Sequence, residues 1–261
     1  MKRILVIITI VLVNMSLSSC VHFQFFGIVG SGPIVTRNFD LSNFDQIESQ
    51  TVIDVEVAQG DSFRVVAEGH ENIMDYLELR VINHKLTVDL MHGSYNHFEM
   101  KIYVTMPVLN KLSVQSTGNA YLNEFTGLES LTIIDNSTGN IVCDGTFEIQ
   151  NNLEIKSRST GNIRLGVNCD EIEASVSSTG NITLNGSCNY QDVYLSCTGN
   201  YNAFDLSSKE CNVETNGTGD ARITVSDVLN ATIRSVGSIY YKGNPSVHIQ
   251  DYSIGNVIGS N

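Results

Sequence analysis

One short phrase returns through the second half of the chain and leaves few folds open to it. It reads Ser116-Thr117-Gly118-Asn119-Ala120, then Ser137-Thr138-Gly139-Asn140-Ile141 and Ser159-Thr160-Gly161-Asn162-Ile163. It continues as Ser178-Thr179-Gly180-Asn181-Ile182, Cys197-Thr198-Gly199-Asn200-Tyr201 and Gly217-Thr218-Gly219-Asp220-Ala221. Weaker copies surround Gly237 and Gly255. From Gly118 onward the glycines are spaced by 21, 22, 19, 19, 20, 18 and 18 residues. A steady period of this size marks a solenoid in which each copy is one coil.

The residues around each glycine decide between strand and helix. Positions eight and six before it are mostly apolar, as in Leu131 with Ile133, Leu153 with Ile155 and Leu229 with Ala231. The position between them is polar: Lys111, Thr132, Glu154, Glu173, Asp192, Asn212, Asn230 and His248. Apolar residues return at two and four after the glycine, as in Ile163 with Leu165 and Ile182 with Leu184. Period-two alternation broken by Thr-Gly-Asn predicts half-buried strands joined at corners, hence an all-β, parallel β-solenoid with coils of about 20 residues. The leucine and asparagine signature of a leucine-rich repeat is missing. Glycine and asparagine both tolerate left-handed backbone, which suits a corner. Stacked at about 4.8 Å, the asparagines should form a column from Asn119 to Asn256, interrupted by Asp220 and Ser238. These glycines are therefore read as scaffold and not as a ligand site.

Three upstream phrases accompany the repeat in order: Arg37 to Ile47, Asp54 to Asp61, and Val104 to Leu112. Together they resemble the head GIN domain family of bacterial auto-transporter adhesins, over roughly Gly30 to the C-terminus. The resemblance implies a β-helical fold and a cell-envelope location, and brings no catalytic residues. Residues 37–110 are strand-rich but lack the repeated phrase, and are expected to cap the solenoid of residues 111–261, since an open strand edge templates aggregation. Amphipathic strands that could build a membrane barrel do not follow the repeats.

At the amino end, Lys2 and Arg3 precede an apolar run from Ile4 to Val13, then Leu17-Ser18-Ser19-Cys20. This predicts a signal peptide over residues 1–19. Leu-Ser-Ser-Cys resembles the bacterial lipobox, which would make Cys20 an acylated first residue and residues 20–36 a tether to the outer membrane. No acidic residue follows in Val21 to Gly27, which favours the periplasmic side over the surface. Cleavage would remove two basic residues and leave 13 basic against 28 acidic ones. So acidic a chain repels phosphate backbones, and nucleic acid is not an expected partner. Of the remaining cysteines, Cys169 and Cys188 share a register and should stack on adjacent coils, where they read as small buried hydrophobes.

Candidate sites are sparse. Glu154, Glu173 and Asp192 are expected in one outward column on three consecutive coils, a candidate binding face that could hold a cation through oxygen ligands but reads first as a solvated acidic edge. Tyr194, Tyr240 and Tyr252 fall at outward offsets where rings could stack on sugar. Arg164 and Arg222 share an offset but are separated by two intervening coils. No carboxylate pair, histidine pairing or zinc-ligand spacing supports catalysis, and no cofactor or metal is expected. The sequence thus predicts a lipid-anchored envelope protein presenting a solenoid surface to a glycan or an envelope protein. The alternatives are a polysaccharide-processing enzyme on the same scaffold, or an envelope component without a ligand.

Overall fold

A computed structural model describes residues 27–260. The signal peptide and Cys20 lie outside the described residues. The chain is nearly all β, with 59% strand, 2% helix and a β-solenoid of about 7 turns some 20 residues apart. Each coil contributes one strand before the glycine corner and one after it, and these stack into two parallel sheets. The leading sheet runs through Lys111–Val114, Leu131–Asp135, Asn152–Ser157, Glu171–Val176 and Tyr190–Leu195 to Ser246–Asp251. The trailing sheet runs through Ala120–Leu122, Ile141–Glu148, Ile163–Asn168 and Ile182–Ser187 to Val257–Gly259.

The apolar alternation fills the space between the sheets. Ile133, Ile155, Ala174, Val193, Val213 and Ala231 stand in register and are all buried. Each large aliphatic side chain in such a column contributes roughly 1.5–3 kcal/mol by leaving water. Several inward positions break the apolar pattern, among them Ser157, Thr215, Gln191 and Asp135. Gln191 is fully buried, donates to Ser208 Oγ at 2.8 Å and accepts from Tyr201 Oη at 2.7 Å, so its amide is satisfied. Asp135 is also fully buried and accepts from the backbone N–H and hydroxyl of Ser137 at 2.9 and 2.7 Å. Its Oδ2 has no partner among the protein groups, and burial pushes the carboxyl above its ordinary pKa, partly offset by the Ser137 bonds.

The corner glycines line up as expected, but for a different reason. None adopts positive φ; among the described residues only Gly32, Gly127, Gly186 and Gly243 are glycines that do. What the corner demands is contact between coils. A Cβ on Gly180 would lie 2.0 Å from the Gly161 carbonyl oxygen, and one on Gly161 would lie 1.9 Å from that of Gly139. The same approach recurs up to Gly255 over Gly237.

The asparagine column holds Asp220 and Ser238 at the two expected rungs, yet its chain of hydrogen bonds runs on through them. The backbone N–H of each rung donates to the side-chain oxygen of the rung before it. The row begins with Asn119 on Asp54 Oδ1 at 2.8 Å and continues with Asn140 on Asn119 at 2.9 Å. It passes through Asn162, Asn181 and Asn200 to Asp220, Ser238 and Asn256. Asp220 and Ser238 keep it going because only an acceptor oxygen is required.

Parallel stacking also extends below Lys111. Gln46–Ser49 pairs in parallel with Lys111–Val114, and Lys85–Leu90 pairs in parallel beneath it. On the trailing side Asp54–Gln59 lies under Ala120–Leu122, and Met100–Met106 under Asp54–Gln59. Antiparallel strands then cover this end: Leu77–Ile82 on the leading side, Arg64–His70 and Ile34–Phe39 on the trailing side. The segment expected as a tether is partly built into this cap, with Ile28–Val29 paired to Tyr95–Asn96.

Candidate functional site

The outer face of the leading sheet carries three outward rows. The first runs Lys85, Gln46, Lys111, Thr132, Glu154, Glu173, Asp192, Asn212, Asn230, His248. The second includes Glu48, Ser113, Ile134, Lys156, Ser175, Tyr194 and Glu214. The third, just short of the corner, includes Arg158, Asn216, Arg234 and Tyr252. A twisted parallel sheet leaves shallow troughs between such rows. Three grooves lie end to end on this face, lined in turn by Lys111 with Arg158, by Glu154 with Tyr194, and by Asn230 with His248.

The structure brings together four of the six residues named from the sequence. Glu154, Glu173 and Asp192 occupy one row on consecutive coils, and Tyr194 stands beside Asp192 in the same groove. The three acids are not equivalent. Glu154 is paired with Lys156 and accepts from Thr132 Oγ1 at 3.3 Å; the Lys156 bond holds its carboxyl below the ordinary range against the opposing effect of burial. Glu173 and Asp192 are exposed to solvent. Among the described residues no group of three or more His, Cys, Asp or Glu is placed to hold a metal ion.

The tyrosines do not share one face. Tyr240 lies on the trailing sheet opposite Arg222, whose guanidinium sits 5.2 Å from its ring centre. Tyr240 follows its corner glycine, Gly237, whereas Tyr194 and Tyr252 precede theirs, so being outward on each strand does not put the three rings on one sheet. Tyr252, 65% exposed, is covered similarly by Arg234 at 5.1 Å. Tyr194 is 41% exposed, and among the described residues no cation lies over its ring; its hydroxyl accepts from Asn216 Nδ2 at 3.4 Å. It is the tyrosine best placed to offer an apolar face to a ligand.

The trailing face offers less. Its groove follows the asparagine row, whose amide oxygens are already engaged by the coil above. Arg164 is tied to Asp144 at 3.1 Å and Arg222 to Asp220 at 3.1 Å, with Thr183 and Asn202 between the two arginines. Cys169 and Cys188 follow the paired residues Asn168 and Ser187 and are free thiols. Burial, and for Cys169 the neighbouring Cys188, pushes each up to about 12. At such values the thiolate is scarce and the sulfurs are poor nucleophiles.

Sequence reasoning missed Gln46, Glu48 and Lys85 as members of the leading face, because their strands stack out of chain order. A signal exists: Lys85-Leu86-Thr87-Val88 and Lys111-Leu112-Ser113-Val114 share one pattern, and their residues occupy the same rows.

The family profile described as "Putative auto-transporter adhesin, head GIN domain" matches residues 43–245. Among solved structures, a putative adhesin from Parabacteroides merdae ATCC 43184 is 26% identical, with a TM-score of 0.80 over 90% of this chain and 99% of that one. A putative adhesin from Parabacteroides distasonis ATCC 8503 is 22% identical, with a TM-score of 0.78 over 89% of this chain and 99% of that one. A putative lipid binding protein from the same organism is 23% identical, with a TM-score of 0.79 over 90% and 99%. The last two support the fold alone. No curated protein matches. With its repeat register, its capped solenoid and a profile match over most of its length, the chain belongs to the head GIN domain family of adhesin-like proteins.

Proposed function

We propose that this protein is a lipid-anchored component of the cell envelope whose leading sheet is a binding surface for a glycan or an envelope protein. The observation that carries the reading is the contrast between corner and face. The corner repeats from coil to coil, whereas the leading face changes its side chains along the stack and collects three aligned grooves. Tyr194 supplies a ring, and Glu173, Asp192, Asn212 and Asn230 supply polar groups around it, the mixture a sugar chain needs.

The anchor is read from Lys2-Arg3, Ile4 to Val13 and Leu17 to Cys20. Six residues separate Cys20 from Gly27, where the chain joins the cap through Ile28–Val29. Extended chain spans at most about 3.6 Å per residue, so the cap would lie within roughly 25 Å of the bilayer and the stack would project from it. The missing acids after Cys20 favour the periplasmic side. The test is a glycan array probed with the intact chain and with Tyr194→Ala. Selective binding lost in the variant supports the reading; binding that ignores Tyr194 and other leading-face substitutions defeats it. Palmitate labelling that persists in Cys20→Ala would remove the anchor, and protease shaving of intact cells decides the side.

A further inference from the structure

We infer that the groove of the leading sheet nearest the cap is a site for the carboxylate of a single acidic sugar residue. This rests on the reading of the leading sheet as a ligand surface and adds the charge and direction of the ligand.

The groove encloses about 190 Å³. Three cations line it, Lys85, Lys111 and Arg158, against one carboxylate, Glu48. Glu48 is nearly buried and already engaged, since Lys85 and Gln115 both donate to it. Lys85 and Glu48 therefore cancel. Lys111 and Arg158 form no ion pair among the described residues. The nearest acid in the row of Lys111 is Glu154, two coils away and held by Lys156. A protein of net charge −13 thus keeps two cations, neither of them in an ion pair among the described residues, along one small groove, although Lys111 also acts at longer range on Glu154.

The remaining lining fits a sugar. Ile134 is the apolar member of its outward row, set between Ser113 and Lys156, and can take the C–H face of a pyranose. Ser113, Gln115 and Asn136 surround it with hydroxyl and amide groups. The site lies on the face of a sheet, not at its edge, so an acidic peptide could not gain backbone pairing there. Farther along the face come Glu154, Glu173 and Asp192. A polymer with a carboxylate on every residue would be repelled by that row. The face therefore suits a chain with one acidic residue at its cap end and neutral sugars beyond.

The test titrates the full chain with a β-glucuronosyl-glucose and an α-galacturonosyl-galactose disaccharide, and with the carboxyl-reduced form of each. At least one acidic disaccharide should bind about tenfold more tightly than its reduced form, the fold-change of one charge-assisted hydrogen bond. The preference should shrink with added salt. Lys111→Met and Arg158→Met should each abolish it, Arg158→Lys should restore part of it, and Arg164→Met on the other face should leave it unchanged. Unshifted thermal melts would show that the variants fold. Equal affinity for acidic and reduced forms overturns the inference, as does no binding of either acid at millimolar concentration. Tighter binding of polyglutamate than of either disaccharide would overturn it in favour of an acidic peptide. If Tyr194→Ala still abolishes binding of a neutral glycan while the carboxylate preference is absent, only the present inference fails.

Discussion

The corner and the leading face are built from the same coils yet obey opposite rules. At the corner each coil from Gly118 to Gly255 carries glycine, because the backbone of the preceding coil lies where a Cβ would be. On the leading face one row passes from lysine through threonine to three acids, two asparagines and a histidine. Repetition marks where coils must touch each other; variation marks where they are free to touch something else. The asparagine row stands between these extremes. It needs an acceptor oxygen at each rung but accepts Asn, Asp or Ser.

The largest test of this contrast is Gly180→Ala. Its Cβ would meet backbone oxygens of Gly161 and Ser159 at 2.0 and 2.8 Å, neither of which can rotate away. A loss of about 3–5 kcal/mol, or failure to fold, is expected in urea titration. Gly127→Ala makes the sharper control: its φ is +70° but nothing lies within 4 Å, so the loss should be only about 1 kcal/mol. Second in size is Asn181→Ala, which removes the acceptor for the Asn200 N–H and Nδ2 at 3.0 and 2.9 Å. A cost of about 1–3 kcal/mol follows from leaving such donors unpaired, whereas Asp220→Asn, which keeps the acceptor and gives up only the ion pair with Arg222, should cost no more than about 1 kcal/mol.

The third test uses pH. The Asp135 carboxyl is raised in the folded protein, chiefly by burial. Folding therefore favours its protonated form. Its contribution to stability is fully present below the unfolded carboxyl value, about 3.9, and is lost as pH rises through the folded value. Asp135→Asn should gain stability relative to the parent as pH climbs from 4 to 8, measured by urea midpoints; a constant difference would show that Asp135 does not titrate in that window. The smallest stability effect belongs to Tyr194→Ala on the face, within about 0.5 kcal/mol, although ligand binding should be lost.

The solenoid was legible because one steric demand recurs at nearly constant spacing, and Gly118 through Gly255 report it directly. The reason for the glycine was not legible, since a sequence shows which residue is tolerated and not whether φ or a neighbouring carbonyl requires it. The first rung, Asp54, was hidden because Ile53 occupies the glycine position there and no Ser-Thr-Gly precedes it. The cap was seen only as strands, because antiparallel pairing leaves no period. Of the candidate site, the acidic row and Tyr194 could be placed by counting. The cap-proximal groove could not, since it joins residues from three separated stretches: Gln46 with Glu48, Lys85, and Lys111 with Arg158.

That interleaving has a temporal consequence. Gln46–Ser49 and Asp54–Gln59 lie between a coil made from residues 85–106 and one made from residues 111–122. As the chain emerges from a ribosome or a translocation pore, this segment gains its first parallel neighbour only after residues 85–106 have followed and its second only after residues 111–122. The stack cannot zip up from its first-made strand; it must wait for about 120 residues and then propagate coil by coil from a seed closed on both sides. Until then the earliest strands lack a partner on one side, and this out-of-order, long-range pairing makes the closing of the seed the slow step of folding.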